Sequence, residues 1–198
     1  MKTNWLERQI VNSPVRVLIQ DKIILRWIRS KVDLSAGGRF LEIGCGRGAG
    51  ALMLVNAFQP AAVHAMDLDE DMISEAGHYL TESQRQRIHL YVGDTLNLPY
   101  RDAAMDAVFG FGVLHHLPDW RAGIQEIARV LKPGGIYFLE EFYPPLYLNF
   151  LMRRLVTHPE KDRFYSHDLR QTLAASGLPL QNTLEIKQLG LLGLCRRG

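Results

Sequence analysis

The chain is 198 residues long, a length that suits one domain able to bury an α/β core. Hydrophobic residues at 47% and charged residues at 22% exclude a disordered or fibrous chain. Twenty-three Lys and Arg against 21 Asp and Glu leave a net charge of +2, which provides no broad footprint for nucleic acid.

Residues 1–38 read as one or two amphipathic helices broken at Pro14, with Ile19, Ile23, Leu25, Trp27 and Ile28 as apolar surface. From Phe40 onward, short apolar runs alternate with longer amphipathic ones, which predicts an α/β fold with a mostly parallel sheet covered by helices on both faces. Strands are expected over Arg39 to Ile43, Ala62 to Leu68, Ile88 to Val92, Ala107 to Phe111 and Ile136 to Glu140. Helices fill the gaps: one over Gly50 to Phe58 stopped by Pro60, one opened by the acidic run Asp67, Asp69, Glu70, Asp71 and running to Leu80, and one from Trp120 to Leu131. Lys132-Pro133-Gly134-Gly135 reads as a helix stop. Beyond it lie an amphipathic stretch from Pro144 to His158, a helix from His167 to Ser176, and two terminal strands, Leu184 to Gln188 and Leu191 to Arg196, that close the sheet. The whole is expected to be a single domain, with residues 1–38 helical, 39–143 forming a ligand-binding core and 144–198 supplying a lid-like helix, the last helix and the terminal strands.

No apolar run is long enough to span a bilayer, and Met1-Lys2-Thr3-Asn4-Trp5 leads into no signal core. Cys45 and Cys195 stand far apart in unlike contexts, forming neither a disulfide framework nor a metal-spaced pair. A cytoplasmic location is the expectation. No metal is expected, since the seven histidines show no ligand spacing.

The chemistry concentrates at the ends of the first strands. Leu41-Glu42-Ile43-Gly44-Cys45-Gly46-Arg47-Gly48 places glycine at every second position between a strand and a helix, where backbone can approach a ligand with no Cβ in the way. Such turns also serve close helix–strand packing, and with Ala49 the segment fits Gly-x-Gly-x-x-Ala, so a dinucleotide stays open as ligand. Asp67, 19 residues beyond Gly48 at the end of the second strand, can accept both hydrogen bonds of a ribose diol; its alternative is to cap the helix that follows.

These residues resemble the class I S-adenosylmethionine-dependent methyltransferases. Five segments carry the resemblance in order: Phe40 to Gly48, His64 to Asp69 with Met72 behind it, Gly93-Asp94-Thr95-Leu96-Asn97-Leu98-Pro99, Met105 to His116, and Ala128 to Gly135. The resemblance implies a Rossmann-like, doubly wound, mostly parallel seven-stranded sheet with an antiparallel terminal strand, and S-adenosyl-L-methionine as cofactor. It also assigns roles. Glu42 would organise the glycine turn, and Gly44, Cys45 and Gly46 would pass beneath the methionine end. Asp67 would hold the ribose, with Leu68 and Met72 against the adenine. Asp94 would accept from the adenine amino group, with Thr95 and Leu96 over the ring. Gly110 and Phe111 would line the methionine side and the opening toward the acceptor. Arg47 departs from the small hydroxyl residue common at its position.

A sulfonium ligand has no pyrophosphate and needs an amino-acid site, a ribose clamp and an adenine slot. Acids at positions 67 and 94 suit the last two, whereas a nicotinamide enzyme gives no reason for Asp94 before Leu-Asn-Leu-Pro. His115 and His116 are candidate bases because imidazole titrates near neutrality, although either could cap the next segment or shape the pocket. Glu140 and Glu141 leave strand five toward the ligand edge; alternation predicts one in the pocket and one in solvent, and Glu140 is the expected participant. Tyr143, Tyr147, Phe150 and Tyr165 could form an apolar lid or pack in the core. No Asn-Pro-Pro-Tyr sequence follows strand four, which turns the expectation away from nucleobase acceptors and toward a small-molecule one. An NAD(P)-dependent oxidoreductase and a non-catalytic binding module are the competing readings.

Overall fold

A computed structural model describes residues 20–34, 36–147 and 162–198. Seven strands form one sheet: β1 (Arg39–Ile43), β2 (Ala62–Asp67), β3 (Ile88–Val92), β4 (Met105–Phe111), β5 (Leu131–Phe142), β6 (Leu180–Ile186) and β7 (Gly190–Arg196). Their order is β3-β2-β1-β4-β5-β7-β6. Neighbours from β3 to β5 run parallel, while β7 lies antiparallel between β5 and β6. This is the doubly wound sheet expected from the alternation of apolar and amphipathic runs.

The helices among the described residues are α1 (Leu25–Lys31, preceded by a π turn over Gln20–Ile24), α2 (Ala49–Phe58), α3 (Glu70–Tyr79), α4 (Glu82–Arg85), α5 (Trp120–Val130), α6 (Pro144–Tyr147) and α7 (Ser166–Ala175). Each sheet face has its own apolar core. Phe40, Phe109, Phe111 and Phe138 pack with Ile24, Leu25 and Ile28 of the α1 segment and Ala51, Leu54 and Val55 of α2. On the opposite face Leu41, Ile43, Val108 and Leu139 meet Trp120, Ile124 and Ile127 of α5 and Leu169 and Leu173 of α7. Strand alternation explains the split: Phe40 and Glu42 share one face of β1, Leu41 and Ile43 the other.

Several boundaries differ from the sequence reading. Ile24, not Ile23, is buried at the N-terminal segment, because the π turn shifts the apolar face by one residue; Ile23 is left exposed. Pro60 does not end α2 by itself, since Gln59 already adopts left-handed backbone (φ 48°) and donates to Val55 O. The helix stop expected at Lys132–Gly135 falls earlier: α5 ends at Val130, and Lys132–Gly135 belongs to an extended β5 whose register against β4 shifts between Met105 and Ala107. The first terminal strand begins at Leu180, ahead of the expected Leu184. Helix α4 was not foreseen; its four residues are set by a capping box between Thr81 and Gln84. Of the stretch Pro144 to His158, only Pro144–Tyr147 is helical within the described residues, and the rest lies outside them, as do residues 1–19. Among the described residues no helix is long and apolar enough to cross a membrane.

Candidate functional site

The site forms where β1, β2, β3 and β4 end at one edge of the sheet. The chain leaves β1 through a glycine turn in which Gly44 (φ 61°), Gly46 (φ 51°) and Gly48 (φ 83°) all take left-handed backbone. At Gly44 the turn is also closed from above: a Cβ there would stand 2.7 Å from Val113 Cγ2, so the segment after β4 rests directly on the glycine turn. Only glycine meets both demands.

Two acids lie at the base of this turn. Glu42 is 2% exposed, beneath the start of α2. It accepts the Ala51 amide, and a Cβ on Gly50 would fall 2.0 Å from its Oε1. Its Oε2 is buried with no hydrogen-bond partner. Burial pushes the Glu42 carboxyl well above its ordinary range. Asp67, at the end of β2, accepts the Gly46 amide at 2.9 Å and the Asp69 amide at 3.0 Å. Burial raises its pKa too, opposed by those amides. Cys45 is buried nearby, its thiol pushed up by burial and by both acids. Capping of α3 falls to Asp69, whose carboxylate accepts the Asp71 amide, so Asp67 is left to the turn.

Asp94 follows β3 and accepts the Leu96 amide at 2.9 Å, which folds the segment into an Asx turn; Thr95 is buried inside it and Leu96 half-buried. Leu68 stands 46% exposed beside Asp67, an apolar side chain available to a ligand, whereas Met72 is 4% exposed and already covered by the protein. Gly110 lies within the sheet, where an added Cβ would meet Ile43 and the Tyr137 hydroxyl. Phe111 lies against Gly50 at the start of α2 and on the Phe138 ring. Arg47 does not enter the cleft; its guanidinium sits 4.9 Å over the Tyr79 ring of α3.

After β4, Gly112 takes φ 76° and the chain makes a 3₁₀ turn over Leu114–His116. His115 is buried and His116 half-buried, with ring centroids 4.3 Å apart. Neither caps α5, because Asp119 does so by accepting the Ala122 amide. The two glutamates of β5 depart from expectation: Glu140 is 6% exposed and Glu141 0%, so neither points to solvent. Strand β5 lies inside the sheet between β4 and β7 with both faces covered, and alternation there separates two buried environments. Glu140 shares the face of Phe111 and Phe138. Glu141 takes the other and holds the 3₁₀ turn, accepting the Val113 amide at 3.1 Å, the Leu114 amide at 2.8 Å and His115 Nδ1 at 2.7 Å. The sequence reading weighed Glu141 beside Glu140 and took Glu140 as the participant; it did not single out Val113. The Glu-Glu pair at a strand end was the available signal for Glu141; nothing local marked Val113.

The arrangement thus joins a left-handed glycine turn, a buried carboxylate oxygen lacking a donor, and acids after two neighbouring strands. A group bearing positive charge or N–H donors would satisfy Glu42 Oε2.

Comparison with known proteins identifies relatives of the chain. A family model described as a methyltransferase domain matches residues 41–139. The demethylmenaquinone methyltransferase of Corynebacterium efficiens is 32% identical over 143 residues, 69% of this chain and 58% of that protein. The fatty-acid O-methyltransferase of Mycolicibacterium smegmatis is 37% identical over 113 residues, 56% of this chain and 39% of that protein. The chain therefore spans well under two thirds of the length of these curated relatives. Among solved structures, a SAM-dependent methyltransferase from Aquifex aeolicus superposes with a TM-score of 0.73 at 16% identity, covering 96% of this chain and 97% of that one.

Proposed function

Since the chain belongs to the methyltransferase domain family, we propose that it transfers a methyl group from S-adenosylmethionine to a small, partly apolar acceptor. The observation that carries this reading is the buried, unpartnered Glu42 Oε2 under the glycine turn, with Asp67 tied to the same turn through Gly46. A buried carboxyl oxygen lacking a donor suits a ligand that brings an ammonium, and Asp67 suits the ribose of an adenosine cofactor.

The residues fit the cofactor as follows. Gly44, Cys45 and Gly46 offer backbone to its methionine end above Glu42. Asp67 retains lone pairs beyond its two amide contacts for the ribose hydroxyls. Leu68 on one side, and Asp94 and Leu96 on the other, frame the adenine, with the buried Met72 and Thr95 in the walls behind them. Gly110 and Phe111 close the floor toward the acceptor. When bound, S-adenosylmethionine supplies a methyl group on a sulfonium leaving group, so alignment provides most of the acceleration. His115, His116 and Glu140 are the groups assigned to the acceptor side, where a base serves an acceptor that arrives protonated.

The acceptor class rests on three points: the low net charge, the apolar stretch after β5 that begins at Pro144, and the names of two curated relatives, which act on demethylmenaquinone and on fatty acid. We read the chain as one catalytic domain, with 1–38 and 144–198 flanking the core at 39–143, and place it in the cytoplasm, where its two buried free cysteines stay reduced.

Calorimetry with S-adenosylmethionine and with NADH tests the cofactor; binding of NADH alone would defeat the reading. A turnover screen against pooled apolar metabolites, read as S-adenosylhomocysteine, tests the activity.

A further inference from the structure

His64 and His89 stand 25 residues apart, too far for a local motif, yet they are direct Cα partners across the parallel pair β2–β3. Val63, Ala65 and Ile88 belong to the core shared with α2, so alternation puts both imidazoles on the opposite face of the sheet. No helix forms between Gly93 and Ala104, and that face stays open here: His64 is half-buried and His89 exposed. Their ring centroids are 5.5 Å apart, with the planes at 55°.

That separation suits a shared metal ion. Zinc held by one nitrogen from each of two imidazoles, at about 2.0–2.1 Å and a tetrahedral angle, sets the ring centroids about 5 Å apart. His64 is also fixed in place: Tyr91 stacks on it at 5.6 Å and 10°, and Tyr100 meets it edge-on at 5.3 Å and 86°. The Tyr100 hydroxyl stands 3.4 Å from Nδ1; when it accepts from that nitrogen, Nε2 keeps the lone pair a metal requires. Burial, with His89 and Arg39 nearby, holds the His64 pKa below its ordinary 6.5, so the ring is mainly neutral at pH 7 and has no proton to release. The Arg39 charge opposes a second cation, and the Asp106 carboxylate beside it offsets that charge.

We propose that His64 and His89 form a binding site for one zinc ion, completed by water, that ties β2 to β3. Among the described residues no third His, Cys, Asp or Glu joins them, so the ion exchanges with solution rather than being locked in a closed cage. Imidazole ligands favour zinc over magnesium and calcium, which take oxygen. The two strands so joined lead to Asp67 and Asp94. The site stands independently of the methyl-transfer reading.

Calorimetry of tag-free protein with zinc chloride at pH 7.5 tests it. A dissociation constant below about 100 µM is expected, with a Tm that zinc raises and EDTA restores; magnesium chloride should do neither. His89→Gln, at an exposed position, and His64→Phe, which keeps a ring between Tyr91 and Tyr100, should each weaken zinc binding at least tenfold and abolish the Tm shift. A chain carrying both His115→Gln and His116→Gln, which lacks the other adjacent imidazole pair, should retain the site. Weaker binding in the unsubstituted chain, affinity unchanged by His89→Gln, or zinc binding lost with His115 and His116 overturns the proposal. If His64→Phe does not fold, His89→Gln decides.

Discussion

The Gly46 amide donates to Asp67 Oδ2 at 2.9 Å, which makes the acid at the end of β2 and the glycine turn after β1 a single unit. If Asp67 also holds the ribose as proposed, cofactor affinity is tied to local backbone geometry.

Asp67→Ala should therefore weaken S-adenosylmethionine binding by more than tenfold, because charge-assisted hydrogen bonds worth about 1.5–3 kcal/mol are lost. Asp67→Asn, which keeps an acceptor oxygen, should fall between. Calorimetry on variants with native circular dichroism checks this, and unchanged affinity would remove Asp67 from the site.

Glu42 should make stability fall with rising pH. Its folded pKa lies above the ordinary 4.5. Below that value both states hold the proton; above it the unfolded chain releases a proton that the folded chain retains, so stability drops as pH climbs toward the folded pKa, by up to about 1.4 kcal/mol per pH unit. Glu42→Gln should flatten this decline and raise Tm at pH 7 more than at pH 4.5, while lowering cofactor affinity. A cationic ligand should also expel the proton, seen as buffer-dependent heat on binding. Parallel melting curves for the two proteins across pH would contradict the assignment.

Phe109 sits among Phe40, Phe111 and Phe138, with ring centroids 5.5–6.4 Å apart. Phe109→Ala should cost about 3–5 kcal/mol through lost burial and the cavity left behind, read as a lower denaturant midpoint.

Two arginines should differ sharply. Arg129 donates to the carbonyls of Leu98 and Tyr100 and pairs with Glu126 and Asp102, so Arg129→Ala should cost about 1–3 kcal/mol and loosen the segment after Asp94. Arg121 and Asp162 form an ion pair with both side chains more than two fifths exposed. Arg121→Ala should change stability by about 0–1 kcal/mol. Urea unfolding of both variants makes the comparison.

The sequence made the sheet legible because each strand is a short apolar run closed by turn residues, and it picked out Glu42, Asp67 and Asp94 as candidates because each acid stands at or just after a strand end. It could not separate Asp67 from Asp69 as the helix cap, since both precede α3; only the Gly46 contact does so. Nor could it choose between Glu140 and Glu141. Alternation says the two face opposite ways, but which face carries the turn after β4 depends on how four distant strands assemble. Helix α4 and the π turn escaped notice because a few residues set by local hydrogen bonds leave no period to detect.

In the order β3-β2-β1-β4-β5, the chain leaving β1 crosses to one side of the sheet and the chain leaving β4 crosses to the other. A crevice must open between those two departures whatever side chains line it. In the proposed reaction one wall would serve the nucleoside and the other whatever is methylated. Acceptor preference could then drift through changes beyond β4 while the half built from β1 to β3 stays as it is.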